Sequence, residues 1–210
     1  YFFTMKTGPK YKIAKRLGAS VFEKTQTQKF ALAMERKSNN KSRGRGRGPT
    51  EYGKQLLEKQ KVRMTYGISE RQFGRYVREA MDSHDKSSNP AEQIHRALEL
   101  RLDNVVYRLG FTTTRRAARQ MVSHGHVTVN GRKTTIPSRV VHLSDKIGVR
   151  EGSRGGVMFQ NFAERAQDRS VPSWLTLDAK AMVGGLEHLP TMESADPAGD
   201  LSVVLSYYSR

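Results

Sequence analysis

From Leu102 to Val122 the apolar residues recur at helical spacing. Leu102, Val105, Val106 and Leu109 form one face of a first helix, which puts Arg101, Asn104 and Arg108 on the opposite, outward side. Gly110 is the predicted stop, because glycine takes a left-handed cap without steric cost. Thr114 is placed to cap a second helix with Ala118, Met121 and Val122 facing in and Arg115, Arg116, Arg119 and Gln120 facing out. After Gly125 the period falls to two. Val127 and Val129 alternate with polar residues, and Asn130-Gly131 is a strong hairpin signal because both residues tolerate positive φ. Arg132 to Ile136 is then the return strand, and Lys146 to Arg150 a third.

Upstream, Pro49-Thr50-Glu51 opens a helix carrying Leu56 and Leu57. Ser69 caps the next, with Gln72 completing a capping box. Phe73, Tyr76, Val77, Ala80 and Met81 give it an inward stripe, and Arg71, Arg75 and Arg78 an outer one. Asn89, Pro90 and Glu92 mark a further start, and that helix is expected to run through Leu100 into Arg101–Leu109. Lys6 to Arg47 shows no sustained apolar period and is expected to be a solvated arm that orders on a polyanion. Its KSRGRGRG run cannot hold a helix, since each glycine costs about 1 kcal/mol there. Beyond Gly152, Met158 to Gln167 suggests a short helix, while Val171–Leu177 and Leu201–Tyr207 suggest strands. Trp174 is expected to pack at a core edge.

The charge turns this outline towards function. The 210 residues hold 37 Lys and Arg against 20 Asp and Glu, a net charge of +17, with an isoelectric point near 10.3. So large an excess points to a polyanionic partner. Residues 1–50 carry 13 basic and 2 acidic side chains and residues 99–152 carry 10 and 4, whereas residues 153–210 carry 5 and 7. The arm and the central segment therefore hold the nucleic-acid signal, and the slightly acidic tail suits a protein neighbour. The absence of cysteine removes disulfides and thiolate metal sites. The mean hydropathy of −0.67 and the lack of a long apolar run give no membrane-spanning segment, so no membrane partner is expected. The four residues before Met5 lack the basic-then-apolar layout of a secretion signal.

The cations that matter are mostly arginines, whose guanidinium group forks onto phosphate and stacks on an unpaired base. Arg101, Arg108, Arg115, Arg116 and Arg119 are expected on one outward surface, closed by Ser123 and His124. Such a surface suits a folded RNA junction recognised by shape. His124 and His126 alternate without a third ligand, so no metal site is expected. No catalytic residues and no cofactor are expected either: there is no cysteine nucleophile, no phosphate-binding glycine loop and no His-Glu metal motif. Asp103 is expected to pair with an arginine.

RLDNVVYRLGF and TRRAARQMVSHGHVTVNG resemble the RNA-binding module named after the fourth ribosomal protein of the small subunit. The likeness extends to Tyr52–Ala80, to GPKYKIAKRLG near the start, and to PSWLTLDAKAM and LSVVLSYYSR near the end. In that order these segments resemble the bacterial ribosomal family itself, in its zinc-free branch. The resemblance implies an α+β fold: a mostly helical N-terminal domain plus an RNA-binding module of two helices packed on a small antiparallel sheet. Four segments are expected: a basic arm (1–50), a helical domain (51–98), the module (99–152) and a C-terminal segment packing back on the body (153–210). It further implies a cytoplasmic structural protein of the small subunit that binds ribosomal RNA first and nucleates assembly. It would also border the path by which messenger RNA enters, contribute to fidelity, and touch ribosomal protein five.

The candidate RNA-binding residues are Lys10, Lys12, Arg16, Arg43, Arg45, Arg47, Arg71, Arg75, Arg101, Arg108, Thr114, Arg115, Arg116, Arg119, Gln120, Ser123, His124 and Arg132. The family's frequent acidic capping partner is replaced by Ala117, a loss of a few tenths to about 1 kcal/mol of helix stability. Two alternatives stand beside this. One is an RNA-modifying or tRNA-charging enzyme that borrows the module, for which residues 153–210 offer no catalytic motif; the other is a repressor of its own messenger.

Overall fold

A computed structural model of the chain describes residues 8–41, 50–83, 89–160, 162–167, 170–193 and 198–209. The helices are α1 (Lys10–Leu17), α2 (Gln28–Lys41), α3 (Glu51–Tyr66), α4 (Glu70–Met81), α5 (Pro90–Glu99), α6 (Leu102–Arg108), α7 (Arg115–Ser123), α8 (Glu151–Arg154), α9 (Phe162–Gln167) and α10 (Leu201–Tyr208). The strands are β1 (Val127–Val129), β2 (Arg132–Thr134), β3 (Lys146–Val149), β4 (Leu175–Asp178) and β5 (Val183–Leu186). This is an α+β protein. It divides into two compact units, Tyr1–His84 with Pro197–Arg210, and Asp85–Asp196. These units cut across the four sequence segments, since α5 lies in the second unit and the tail is shared between both.

The first unit is helical. Residues 10–41, expected to be an arm without regular structure, instead form α1 and α2. Enough apolar contact exists to fix them: Ala14 and Phe30 are buried, and the Phe30 ring meets Tyr11 edge-on at 5.3 Å. Thr50 caps α3 by accepting from the Gly53 amide, and Ser69 caps α4 by accepting from Gln72. The inward stripe of α4 ends at Ala80, because Met81 at the helix end is exposed. Residues 201–207, expected as a strand, are helical. Asp200 accepts from the amides of Ser202 and Val203, and α10 lies along α3 with Leu201 and Val204 buried. Packing and a strong N-cap override the β-propensity of the LSVVLSYY run.

An ionisable cluster fastens α10. The Tyr208 hydroxyl donates to Glu70 Oε1 at 2.9 Å, Lys59 Nζ donates to the same oxygen at 2.7 Å, and Lys59 sits 4.2 Å over the Tyr207 ring. Burial opposes ionisation of Glu70, but the hydrogen bonds from Lys59 and Tyr208 outweigh it and hold its pKa below the ordinary carboxyl value of 4.5. Burial, reinforced by the bond to Glu70, raises the Tyr208 phenol above its ordinary 10.0. The Glu70 contribution is therefore present above pH 4.5 and lost as pH falls through its lowered value; that of Tyr208 is full below pH 10 and lost as pH rises beyond it. Attachment of α10 is expected to weaken at both extremes. Amide NMR shifts of Ser202–Tyr208 should follow the acid step, and ultraviolet titration should show a phenol ionising above the ordinary range that is absent from Tyr208→Phe. Acid shifts that persist in Glu70→Gln would contradict this.

The second unit stacks α6 and α7 with an antiparallel sheet of order β2-β1-β3-β5-β4, and α5 leads into α6. Asn130 (φ 53) and Gly131 (φ 77) make the expected two-residue turn, setting Val129 opposite Arg132. The return strand is shorter than expected, ending at Thr134, with Ile136 exposed. β3 pairs Val149 with Val127 and Ile147 with Val129, directing these side chains into the core. The tail adds β4 and β5 to the same sheet, where β3 pairs with β5. β5 escaped the pattern reading because its central residues are Gly184 and Gly185. Trp174 is fully buried among these residues.

Candidate RNA interface

The second unit presents α6 and α7 side by side, their apolar faces buried as the spacing predicted: Leu102, Val105, Val106 and Leu109 on one, Ala118, Met121 and Val122 on the other. Gly110, at φ 82, ends α6, and Thr114 Oγ1 accepts from the Ala117 amide to begin α7. The helix expected to continue through Leu100 is broken. Arg101 turns extended (ψ 135), the Leu100 carbonyl accepts from Val141, and the Leu102 amide donates to Arg139. The backbone groups a continuous helix would have used are thus satisfied by the loop after β2.

Two outward assignments are corrected. Arg101 is only 1% exposed, with Nε and Nη2 donating to both oxygens of Asp103 at 3.0 and 2.9 Å. Periodicity alone could not find this, because a carboxylate two residues on makes burial of the guanidinium tolerable. Asn104 is also buried; its Nδ2 donates to Glu99 Oε2 at 2.8 Å and to the Glu99 carbonyl at 3.1 Å. Asp103 pairs with arginine as expected.

The other arginines converge. Arg108 is half-buried and donates to Glu99 through Nε and Nη2 at 3.0 and 2.8 Å. Arg115 Nε donates to Asn104 Oδ1 at 2.8 Å, and its guanidinium lies 4.5 Å over the Tyr107 ring. Arg119, with 41% of its side chain exposed, reaches Asp103 Oδ2 at 3.3 Å. Arg115, Arg119 and Ser123 follow one another at four-residue steps, and beside them Arg116, Gln120 and His124 do the same. Arg116, Gln120 and His124 are exposed and Ser123 is half-buried. A ridge of guanidinium groups with acids beneath it suits phosphates and unstacked bases of folded RNA.

The remaining candidates are not all at this ridge. Arg132 is exposed on β2. In the first unit, Lys12 and Arg16 are exposed on α1 and Lys10 half-buried; Arg71 and Arg75 are exposed on α4, with Arg75 3.4 Å from Glu79. Arg43, Arg45 and Arg47 lie outside the described residues. His124 and His126 stand 6.0 Å apart, and His126 Nδ1 is 2.9 Å from Ser153 Oγ. Among the described residues no three or more His, Asp or Glu group as a metal site, and no helix is long and apolar enough to cross a membrane. Sequence reasoning did not single out Glu99 and Tyr107, and it placed Asn104 outward rather than on Glu99. The signal lay in register, since Asn104 and Arg108 are one turn apart on α6 and Glu99 closes the helix before it.

Residues 5–99 match the Ribosomal protein S4/S9 N-terminal domain and residues 100–147 match the S4 domain. The small ribosomal subunit protein uS4 of Herpetosiphon aurantiacus is 42% identical over 210 residues, covering 97% of this chain and 98% of its own. That of Roseiflexus castenholzii is 42% identical over 205 residues, and that of Burkholderia vietnamiensis 40% over 207, with the same coverage.

Proposed function

The chain belongs to the family of the small ribosomal subunit protein uS4, and from that premise we propose that it is a structural, non-enzymatic constituent of the small subunit that binds ribosomal RNA directly. The observation carrying the RNA contact is the α6–α7 ridge, where Arg108, Arg115 and Arg119 share one surface with Arg116 exposed beside them. Thr114, Gln120, Ser123 and His124 supply hydrogen-bonding groups along it, and Arg132 extends it onto the sheet. Arginines held this way meet an RNA junction at little further entropic cost, which suits a protein that binds early and nucleates assembly. Lys10, Lys12, Arg16, Arg71 and Arg75 add phosphate contacts from the first unit. Arg43, Arg45 and Arg47 would border the messenger path, through which the chain would contribute to fidelity. The slightly acidic tail would face ribosomal protein five. The place of work would be the cytoplasm, in the assembled subunit.

A filter-binding titration tests the core of this. The full chain is expected to prefer small-subunit ribosomal RNA to an unrelated structured RNA of equal length by about tenfold or more, with affinity falling steeply as salt rises. Equal affinity for both RNAs would refute it.

A further inference from the structure

We infer that Glu99, resting on the RNA-binding reading above, is a positioning residue: it touches no RNA, but its buried carboxylate aims Arg108 directly and Arg115 through the Asn104 amide. Glu99 is the last residue of α5 and is fully buried. Its Oε1 accepts from Arg108 Nη2 at 2.8 Å, and its Oε2 accepts from Arg108 Nε at 3.0 Å and from Asn104 Nδ2 at 2.8 Å. With the Asn104 NH2 group committed to Glu99, the amide oxygen can face only the other way, where it accepts from Arg115 Nε at 2.8 Å. Arg115 is then laid on the Tyr107 ring. One carboxylate on α5 thereby sets guanidinium groups on two other helices.

Stability alone does not account for this choice. A buried ion pair is often matched or exceeded in stability by well-packed apolar residues, so its carboxylate is weak grounds for a purely stabilising role. What the carboxylate supplies and an apolar side chain cannot is direction. Each arginine has large rotamer freedom that must be surrendered when it meets RNA, and here that freedom is removed beforehand. A purely Coulombic effect has the opposite sign, because deleting a negative charge beside a phosphate-binding surface strengthens binding to a polyanion. The two effects therefore give opposite outcomes for one substitution.

The test uses the full chain and small-subunit ribosomal RNA. Glu99→Gln keeps the shape but sets an amide NH2 against arginine donors, and is expected to weaken binding roughly ten- to thirtyfold. In an Arg108→Ala/Arg115→Ala background the same change is expected to cost less than about twofold, since nothing remains for Glu99 to aim. Trp174 fluorescence reports whether each variant is folded. If Glu99→Gln does not fold, Asn104→Ala severs only the Arg115 branch, and its loss should vanish in Arg115→Ala but persist in Arg108→Ala. Unchanged or tighter binding by Glu99→Gln, or losses that add to those of the arginines, would overturn the inference. No RNA preference in the unsubstituted chain sinks the RNA reading and the inference together; a preference that survives Glu99→Gln sinks the inference alone.

Discussion

Replacing Arg115 and Arg119 together by alanine is expected to lower affinity for small-subunit ribosomal RNA by roughly 100- to 1000-fold, about 1.5–2 kcal/mol for each guanidinium. Arg115 uses Nε on Asn104 and the face of Tyr107, and Arg119 reaches Asp103 with Nη1 while 41% of its side chain is exposed. Their removal should also flatten the dependence of log affinity on log salt by about 1.5–2, as two phosphate contacts disappear. The fold should survive, because Asp103 keeps both bonds to Arg101 and the α7 core residues are untouched. A loss under about fivefold with an unchanged salt slope would move the RNA contact elsewhere. The paired substitution Arg71→Ala/Arg75→Ala on α4 serves as the comparison and should cost less, since both side chains are exposed and Arg75 pairs with the exposed Glu79.

Asp103→Ala is expected to act on the fold rather than the contact, destabilising the second unit by about 3–5 kcal/mol. Arg101, buried, would lose the carboxylate that accepts from its Nε and Nη2, and Arg119 would lose its bond to Asp103 Oδ2. Stability of that unit can be followed by the fluorescence of Trp174, the sole tryptophan of the chain, which is buried in the same core. The urea midpoint should fall by more than about 1 M, given slopes of roughly 1–3 kcal/mol per molar urea. Asp103→Asn keeps one acceptor and should cost less. An alanine variant as stable as the parent would mean that water reaches Arg101 at no cost, contrary to its burial.

The contrast of Arg115 and Arg119 with Arg101 shows what was legible beforehand. The apolar stripes of α6 and α7, the Thr114 cap and the Asn130-Gly131 turn are local signals with local causes, and each appears in the structure. Arg115 and Arg119 follow from the same helical period. Arg101 did not, because a charge at a polar position is ordinarily solvated, whereas here the neighbouring Asp103 and the loop bonded to residues 100–102 help make an interior site for it. That loop is more than thirty residues away in the chain, beyond any windowed pattern. Leu201–Tyr207, whose pattern predicts a strand, is helical for the same reason. Its composition favours extended backbone, while its partner surface on α3 and the hydroxyl-to-carboxylate bond from Tyr208 to Glu70 favour a helix. In the N-terminal region the apolar residues are too sparse to show a period, yet Tyr11, Ala14 and Phe30 suffice once α1 and α2 form.

The order of the sheet has a consequence for the chain before it reaches its RNA. Its two border strands are β2 and β4, and a border strand is a template on which another polypeptide can stack. β2 is three residues long and carries the exposed cations Arg132 and Lys133, while β4 ends in exposed Asp178. Copies meeting along β2 would bring like charges together, and those meeting along β4 would have to bury a carboxylate. Both borders of this sheet therefore oppose strand pairing with a second copy of the chain.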